Sequence, residues 1–399
     1  MKVLMLHPHD IEYDPWTIRI IKLAQSLKSM GHEVTVAYLE SIWRKLPEKI
    51  KLRDVPDDGI PYVRLLPRGR HMWKNFQTIK NLAESVDIIH FQKCFASTAL
   101  PALYISSYLD KPVHYDWDDY EEEILKTIND GIIGRAFRSE VALFERTLPS
   151  LVDGLSAASD AIRELAVERG FPEKYIVKTP VGADLVQFHP DNDGTLLRAD
   201  SRYNIGNSPM VLYLGQLEGA AYVETFLQAA LTVKKSFPGA KFVVVGGGIL
   251  LKKLKKLAVQ LNLDEEVIFT GYIPSNEVPK FVAAADVAIA CLDDYPNTRC
   301  KSPLKIAEYM AAGKAIVASN VGEVSWMLQG SGIIIPPSES ESLATGIKTF
   351  LNNPEIAKEL GAQARRRAEK YFNWHWSAEQ LEIAYQNTLD RWYEKNSNY

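Results

Sequence analysis

Two stretches carry residues whose types and spacing suit chemistry. The first is Cys300–Ser319, CKSPLKIAEYMAAGKAIVAS. Ser302 and Pro303 read as a helix start, since a hydroxyl can cap orphan N–H groups and proline fits the first turn. Lys305 and Glu308 then lie one turn apart on one face, Gly313 ends the helix, and Ala315–Ala318 is the strand after it. A helix N-terminus is an anion site, and a carboxylate beside it can accept bonds from two vicinal hydroxyls of a ribose. A plain surface ion pair between Lys305 and Glu308 satisfies the same spacing. The second stretch is Val113–Glu123, VHYDWDDYEEE, an apolar strand opening into an acidic loop with Asp116, Asp118 and Asp119. Crowded carboxylates raise one another's pKa and can mark an acid/base site; a solvated surface loop has the same composition. His7, His9 and Asp10 follow the first strand, where two histidines at i,i+2 do not make a metal set, and a ligand-binding and a structural role stand level.

The elements that must position these residues alternate along the chain. Val3–Leu6 is a short apolar run, Ile18–Met30 has apolar residues at helical spacing closed by Gly31, and Glu33–Leu39 is apolar again. Strand, helix and strand with short connections make a βαβ unit and therefore a parallel sheet. The pattern continues through Val63–Leu66, Asp87–Phe91, Pro112–Tyr115, Gly154–Ala157 and Ile176–Thr179, with helices between. From His189 to Pro209 periodicity fades and Asp191-Asn192-Asp193-Gly194 signals a turn, which reads as entry into a second domain. A second series follows: Val211–Leu214, Lys241–Val245, Val267–Thr270, Asp286–Ala290, Ala315–Ala318 and Ile333–Ile335, then a helical tail from Pro354 to Lys395 broken near Asn373. The expected fold class is α/β, with two Rossmann-like doubly wound parallel sheets. Residues 1–190 form the N-terminal domain and 191–374 the C-terminal domain, with a helix over 375–399 packing back on the first. Ligands in such sheets bind outside the strand C-termini, so a cleft between two such domains would suit a reaction of two substrates.

Composition sets the bounds. The 399 residues carry 46 Lys+Arg against 50 Asp+Glu, a net charge of −4, which excludes a generally basic nucleic-acid binder. Three cysteines, Cys94, Cys291 and Cys300, are too few for a disulfide framework, and a reducing cytoplasm is the expected location. The opening apolar run is too short for a signal sequence, and no run approaches the ~18 apolar residues of a membrane span.

The segment SPLKIAEYMAAGKAIVAS resembles the nucleotide-sugar motif of family 4 glycosyltransferases, group 1 type, which have the GT-B fold. HEVTVAYL, VDIIHFQ, GLSAASDAIRELAVERG, KYIVKTPVGADLVQFHP, MVLYLGQLEG, KFVVVGGG and VIFTGYIPSNEVPKFVAAADVAIA resemble further family stretches in the same order, over nearly the whole chain. The resemblance implies a retaining transferase that moves a sugar from a nucleotide-diphosphate donor (a UDP-, GDP- or ADP-sugar) to an acceptor hydroxyl, with no bound metal and no other cofactor. Glu308 would take the ribose hydroxyls. Ser302, Pro303, Leu304 and Lys305 would sit at the diphosphate, Tyr272 and Ile273 near the base, and Gly215 and Gln216 at the phosphates. Asp118 or Asp119, with Asp116 in the same D-x-D-D order, would contact the transferred sugar or the acceptor. His7, His9, Asp10 and Arg19 would lie on the acceptor side. D-W-D also resembles the metal-binding motif of GT-A transferases, which the GT-B motif order outweighs.

The departures fall in the donor motif. Gln216 and Ala221 stand where the family has Arg and Lys, and Cys300 stands at the first of two glutamates whose second is Glu308. Arg299, Lys301, Lys305 and Arg19 are the cations expected to compensate. Leu250–Leu257 is basic and amphipathic, and with Trp43, Arg44, Lys45, Lys49, Lys51, Trp73 and Lys74 it suggests contact with the inner face of a membrane and a lipid-linked acceptor; a carbohydrate or small-molecule acceptor fits the resemblance as well. The leading reading is an active transferase for a cell-surface glycan, glycolipid or secondary metabolite. The missing charges motivate an alternative, a catalytically weakened relative that serves as a binding or scaffold partner in a glycan assembly complex.

Overall fold

A computed structural model describes residues 1–41, 51–67, 71–126, 131–218 and 222–397. Trp43, Arg44, Lys45, Lys49 and Ala221, named above, lie outside the described residues. The chain forms two compact units. One comprises Met1–Val181, Cys300–Ser302 and Trp374–Tyr399; the other comprises Gly182–Arg299 and Pro303–Asn373.

The first unit holds strands β1 (Lys2–His7), β2 (Glu33–Leu39), β3 (Tyr62–Leu65), β4 (Ile88–Gln92), β5 (Val113–Trp117), β6 (Gly154–Ala157) and β7 (Ile176–Lys178). All pair in parallel, in the order β3-β2-β1-β4-β5-β6-β7. Every residue of β4 and β5 is buried, as a parallel sheet covered on both faces requires. Phe91, Tyr115 and Trp117 stack across β4 and β5, with ring centroids 5.1 and 5.6 Å apart. The helix Trp374–Asn396 packs on β6 and on the helix Ile18–Ser29 of the same unit.

The second unit holds β8 (Met210–Leu214), β9 (Lys241–Val245), β10 (Val267–Gly271), β11 (Val287–Ala290), β12 (Ala315–Ser319) and β13 (Ile333–Ile335). These are again all parallel, ordered β10-β9-β8-β11-β12-β13. Residues 182–190, assigned by their sequence to the first domain, instead bond within the second unit. Ala183 N donates to Phe372 O at 2.7 Å, and Arg365 Nη1 donates to the carbonyls of Leu185 and Phe188.

In each sheet the strand order reverses once, at β1/β4 and at β8/β11. Crevices at such switch points, outside the strand C-termini, are where doubly wound sheets hold ligands.

Candidate active site

In the first unit, the switch point is flanked by His7 at the end of β1 and by Gln92 and Lys93 at the end of β4. Lys93 has a left-handed backbone (φ 66°) and is 2% exposed. Its Nζ lies 2.6 Å from Glu121 Oε1, 3.1 Å from Asp119 Oδ2 and 3.3 Å from Asp118 Oδ1. Gln92 Nε2 donates to Asp118 Oδ2 at 2.6 Å. Burial pulls the Lys93 ammonium down, but Asp118, Glu121 and Asp119 together lift its pKa well above the lysine value. Burial raises Asp118 above the usual carboxylate range, against the pull of Lys93. Asp119 is held low, because Lys93 and Lys301 outweigh its burial. The structure thus brings Asp118 and Asp119 together around a lysine that sequence reasoning missed: a single Lys after a strand gives no periodic or motif signal.

Glu145 fixes this loop from behind. It is wholly buried on the helix Ile132–Leu151; its Oε1 accepts from Glu121 N (2.9 Å) and Trp117 Nε1 (3.0 Å), and its Oε2 accepts from Glu122 N (2.7 Å). Its oxygens therefore take up the first N–H groups of the short helix Glu121–Leu125, which have no partner inside the helix. Burial outweighs those bonds and pushes its carboxyl up to about 8.

Two expectations are corrected here. Asp116 is not available to a substrate: it is 0% exposed, Arg19 Nε and Nη2 donate to its two oxygens at 2.8 Å each, and Ser156 Oγ donates at 2.6 Å. The guanidinium overrides burial and holds Asp116 well below the carboxylate range. Arg19 accordingly spends its charge inside the first unit instead of on a diphosphate. It retains one open donor: Nη1 is buried with no hydrogen-bond partner, as is Oγ1 of Thr179, whose carbonyl accepts from Arg19 Nη2. Asp10 organises its own loop, accepting from Glu12 N at 3.0 Å and Ser41 N at 2.9 Å. His7 is fully buried, and burial keeps its ring neutral. His9 packs edge-on against His7 and Phe95 at 5.5 and 5.4 Å.

Behind Asp116 a buried chain runs to the last helix. His114 Nε2 meets Ser156 Oγ at 3.0 Å and its Nδ1 meets Thr388 Oγ1 at 2.8 Å. Tyr385 OH meets His90 Nδ1 at 2.9 Å.

In the second unit, the loop after β8 meets the helix Leu304–Ala311. A Cβ on Gly215 would come within 2.6 Å of Lys305 Nζ, so glycine keeps the lysine close to the backbone. The ammonium also sits 4.3 Å above the Tyr213 ring. Gly246 (φ 135°) backs onto this turn: any Cβ there would strike Gly215 O at 2.0 Å. The Gly246-Gly247-Gly248 run is therefore a backbone junction, and Gly247 leaves room for the Tyr272 ring, which a Cβ would meet at 2.6 Å. Tyr272 is 37% exposed, while Gln216 and Ile273 are half-buried. Burial pushes the Glu308 carboxyl up to about 8, with Lys305 opposing.

The cap expected from Ser302 does not form. Pro303 is the N-cap residue with no side-chain bond, and Ser302 Oγ instead accepts from Val181 N at 3.1 Å within the first unit. Cys300 is 4% exposed in the first unit's apolar core, which explains why no glutamate stands there. The charge of Arg299, expected at the donor, is paired at the surface, where Asp294 holds its guanidinium through two bonds, one of 2.8 Å. The charge of Lys301 acts on Asp119 and Glu121.

Two parallel sheets, each with polar residues gathered at its switch point, make a pair of doubly wound α/β units. Residues 17–187 match the family described as Glycosyltransferase Family 4, and residues 199–367 match Glycosyl transferases group 1. The chain belongs to these glycosyltransferases. It is 28% identical over 217 residues to a GDP-mannose-dependent alpha-(1-6)-phosphatidylinositol monomannoside mannosyltransferase of Mycolicibacterium smegmatis, covering 53% of this chain and 56% of that one. It is 27% identical over 308 residues to the alpha-monoglucosyldiacylglycerol synthase of Streptococcus pneumoniae, covering 76% of this chain and 66% of that one. The chain spans about half the length of the first curated relatives it matches. The Anabaena HepE protein crystallised with UDP shares the fold, with a TM-score of 0.71 at 16% identity over 97% of this chain and all of that one.

Proposed function

We propose that this chain is a retaining glycosyltransferase that moves a sugar from a nucleoside-diphosphate donor to an acceptor hydroxyl. The observation that carries the reading is the group formed in the second unit by Lys305 and Glu308 on one helix with no side-chain cap and by Gly215 in the loop beside it. The first N–H groups of that helix and the Lys305 ammonium suit a leaving diphosphate, whose negative charge grows as the anomeric bond breaks. Glu308 accepts from the ribose hydroxyls. The first unit takes the acceptor beside Asp118 and Asp119, where Arg19 Nη1 and Thr179 Oγ1 offer unused hydrogen-bonding capacity. The departing phosphate receives the acceptor's proton, and attack on the leaving-group face retains the anomeric configuration.

The acceptor is lipid-linked. Two of the relatives are named for glycolipids, phosphatidylinositol monomannoside and monoglucosyldiacylglycerol. The helices Met72–Ala83 and Ala96–Leu109 also expose a strip of Trp73, Tyr104 and Tyr108 joined through Phe76, with Lys80 over the Tyr108 ring at 4.8 Å. Exposed aromatic and lysine residues suit a membrane interface. No helix among the described residues is long and apolar enough to cross a membrane.

Calorimetry with UDP, GDP and ADP, followed by anomeric NMR of the product, tests this reading. Binding that is lost in Glu308→Ala supports it; absence of binding to all three favours the scaffold alternative.

A further inference from the structure

Lys93 sits where its chemistry is unusual. The ligand oxygens of Asp118, Asp119 and Glu121 lie within 4.8 Å of one another, a spacing that could hold a metal ion. The Lys93 ammonium reaches all three at 2.6–3.3 Å and is 98% removed from solvent. An ammonium has three N–H donors, and three carboxylates surround it. Lys93 reaches them from a left-handed backbone at the end of β4. The arrangement is distinct from an exposed acidic patch, because its counter-charge is built into the chain.

We propose that Lys93 is the positioning residue of the acidic loop and occupies the place that a divalent cation would otherwise take. Its fixed charge gathers the three carboxylates into one arrangement without any exchangeable ion, and so sets where Asp118 and Asp119 meet the acceptor. The inference rests on the acceptor-side reading of this loop, but its main test does not depend on activity.

Removing the ammonium leaves three converging carboxylates, which hard cations favour. In Lys93→Met, terbium(III) should bind and give luminescence sensitised by Trp117, whose Nε1 donates to Asp119 O at 2.9 Å. Millimolar calcium should raise the variant's melting temperature by about 4 °C or more and leave the parent chain unmoved. Lys93→Arg should stay blind to both ions. Lys93→Met/Asp118→Asn should lose the calcium response. With donor and acceptor supplied, Lys93→Met should lose at least about 100-fold in kcat with little change in the donor KM, as expected when positioning rather than binding is lost, and calcium should restore part of it. Equal terbium binding by the parent chain, or a Lys93→Met protein that ignores both ions, overturns the proposal. If Lys93→Met accumulates unfolded, refolding decides: recovery only with calcium supports the proposal, and recovery without it or in neither condition overturns it. The ion responses as expected, but no nucleotide binding or turnover by the parent chain, would count against the transferase reading alone.

Discussion

The two units meet the same problem, holding polar groups at a switch point, by opposite means. In the first, polar groups are buried and matched against each other: Arg19 with Asp116, Lys93 with three carboxylates, and the Glu145 carboxyl with two backbone N–H groups. In the second, the helix Leu304–Ala311 is set by backbone and aromatic contacts: Gly246 against Gly215, Lys305 above Tyr213, and Tyr309 OH on Leu214 N at 2.9 Å. Matched buried charge is costly to desolvate and fixed once made. A backbone cradle shapes its turn without drawing on a matched pair of buried charges. The first arrangement suits a site that orients, and the second a site that binds and releases.

The sharpest way to break this contrast is to unpair the first unit. Arg19→Met strands the Asp116 carboxylate in a fully buried position and should cost about 3–5 kcal/mol in urea unfolding. Arg19→Met/Asp116→Leu should recover most of that loss. Lys305→Met should change stability far less, and a comparable loss there would erase the distinction.

Glu308→Ala should weaken nucleoside-diphosphate binding about 10–100-fold, the worth of hydrogen bonds to a charged acceptor. Asp118→Asn should leave that affinity intact and lower kcat. Isothermal titration beside initial-rate kinetics separates the two effects.

Each unit also holds one carboxyl raised by burial to about 8, Glu145 and Glu308. Their unfolded values are near 4.5, so between those limits the unfolded chain has lost protons that the folded chain keeps. Stability should therefore fall as pH rises from about 5 to 8. Glu145→Gln and Glu308→Gln should each flatten that slope in denaturant titrations. Because ribose hydroxyls favour the ionised form, UDP affinity should increase over the same range, and only Glu308→Gln should abolish that increase.

The smallest effect is expected at Arg299. Its pair with Asp294 is exposed, so Arg299→Ala should alter nucleotide affinity by less than about twofold.

The sheets were legible because buried parallel strands read as short apolar runs between helical patterns, as Lys241–Val245 and Ile333–Ile335 do. The break near Asn373 and the β4 and β5 strands were equally plain. The acidic loop was visible as charge, but the structure adds the short helix Glu121–Leu125 and the two residues that discipline it. Lys93 was hidden because a single lysine after a strand looks like any solvated residue, and only tertiary packing closes water away from it. Glu145 was hidden because its partners are backbone N–H groups, which no side-chain pattern encodes. Arg19 was legible as a cation, but a sequence does not show that its fork meets Asp116 and not a diphosphate. The donor segment was the most legible because its spacing is local, although Ser302 and Arg299 turned to partners of their own.

The helix Trp374–Asn396 supplies Tyr385 and Thr388, the hydroxyls that meet His90 and His114 in the first sheet. On the ribosome those hydroxyls emerge only after the whole second unit has been translated. The earlier half of the chain therefore waits with one nitrogen of each imidazole lacking its partner and one flank of its sheet bare. A protein truncated before Trp374 would keep every strand of both sheets and still lack the closing piece of the first.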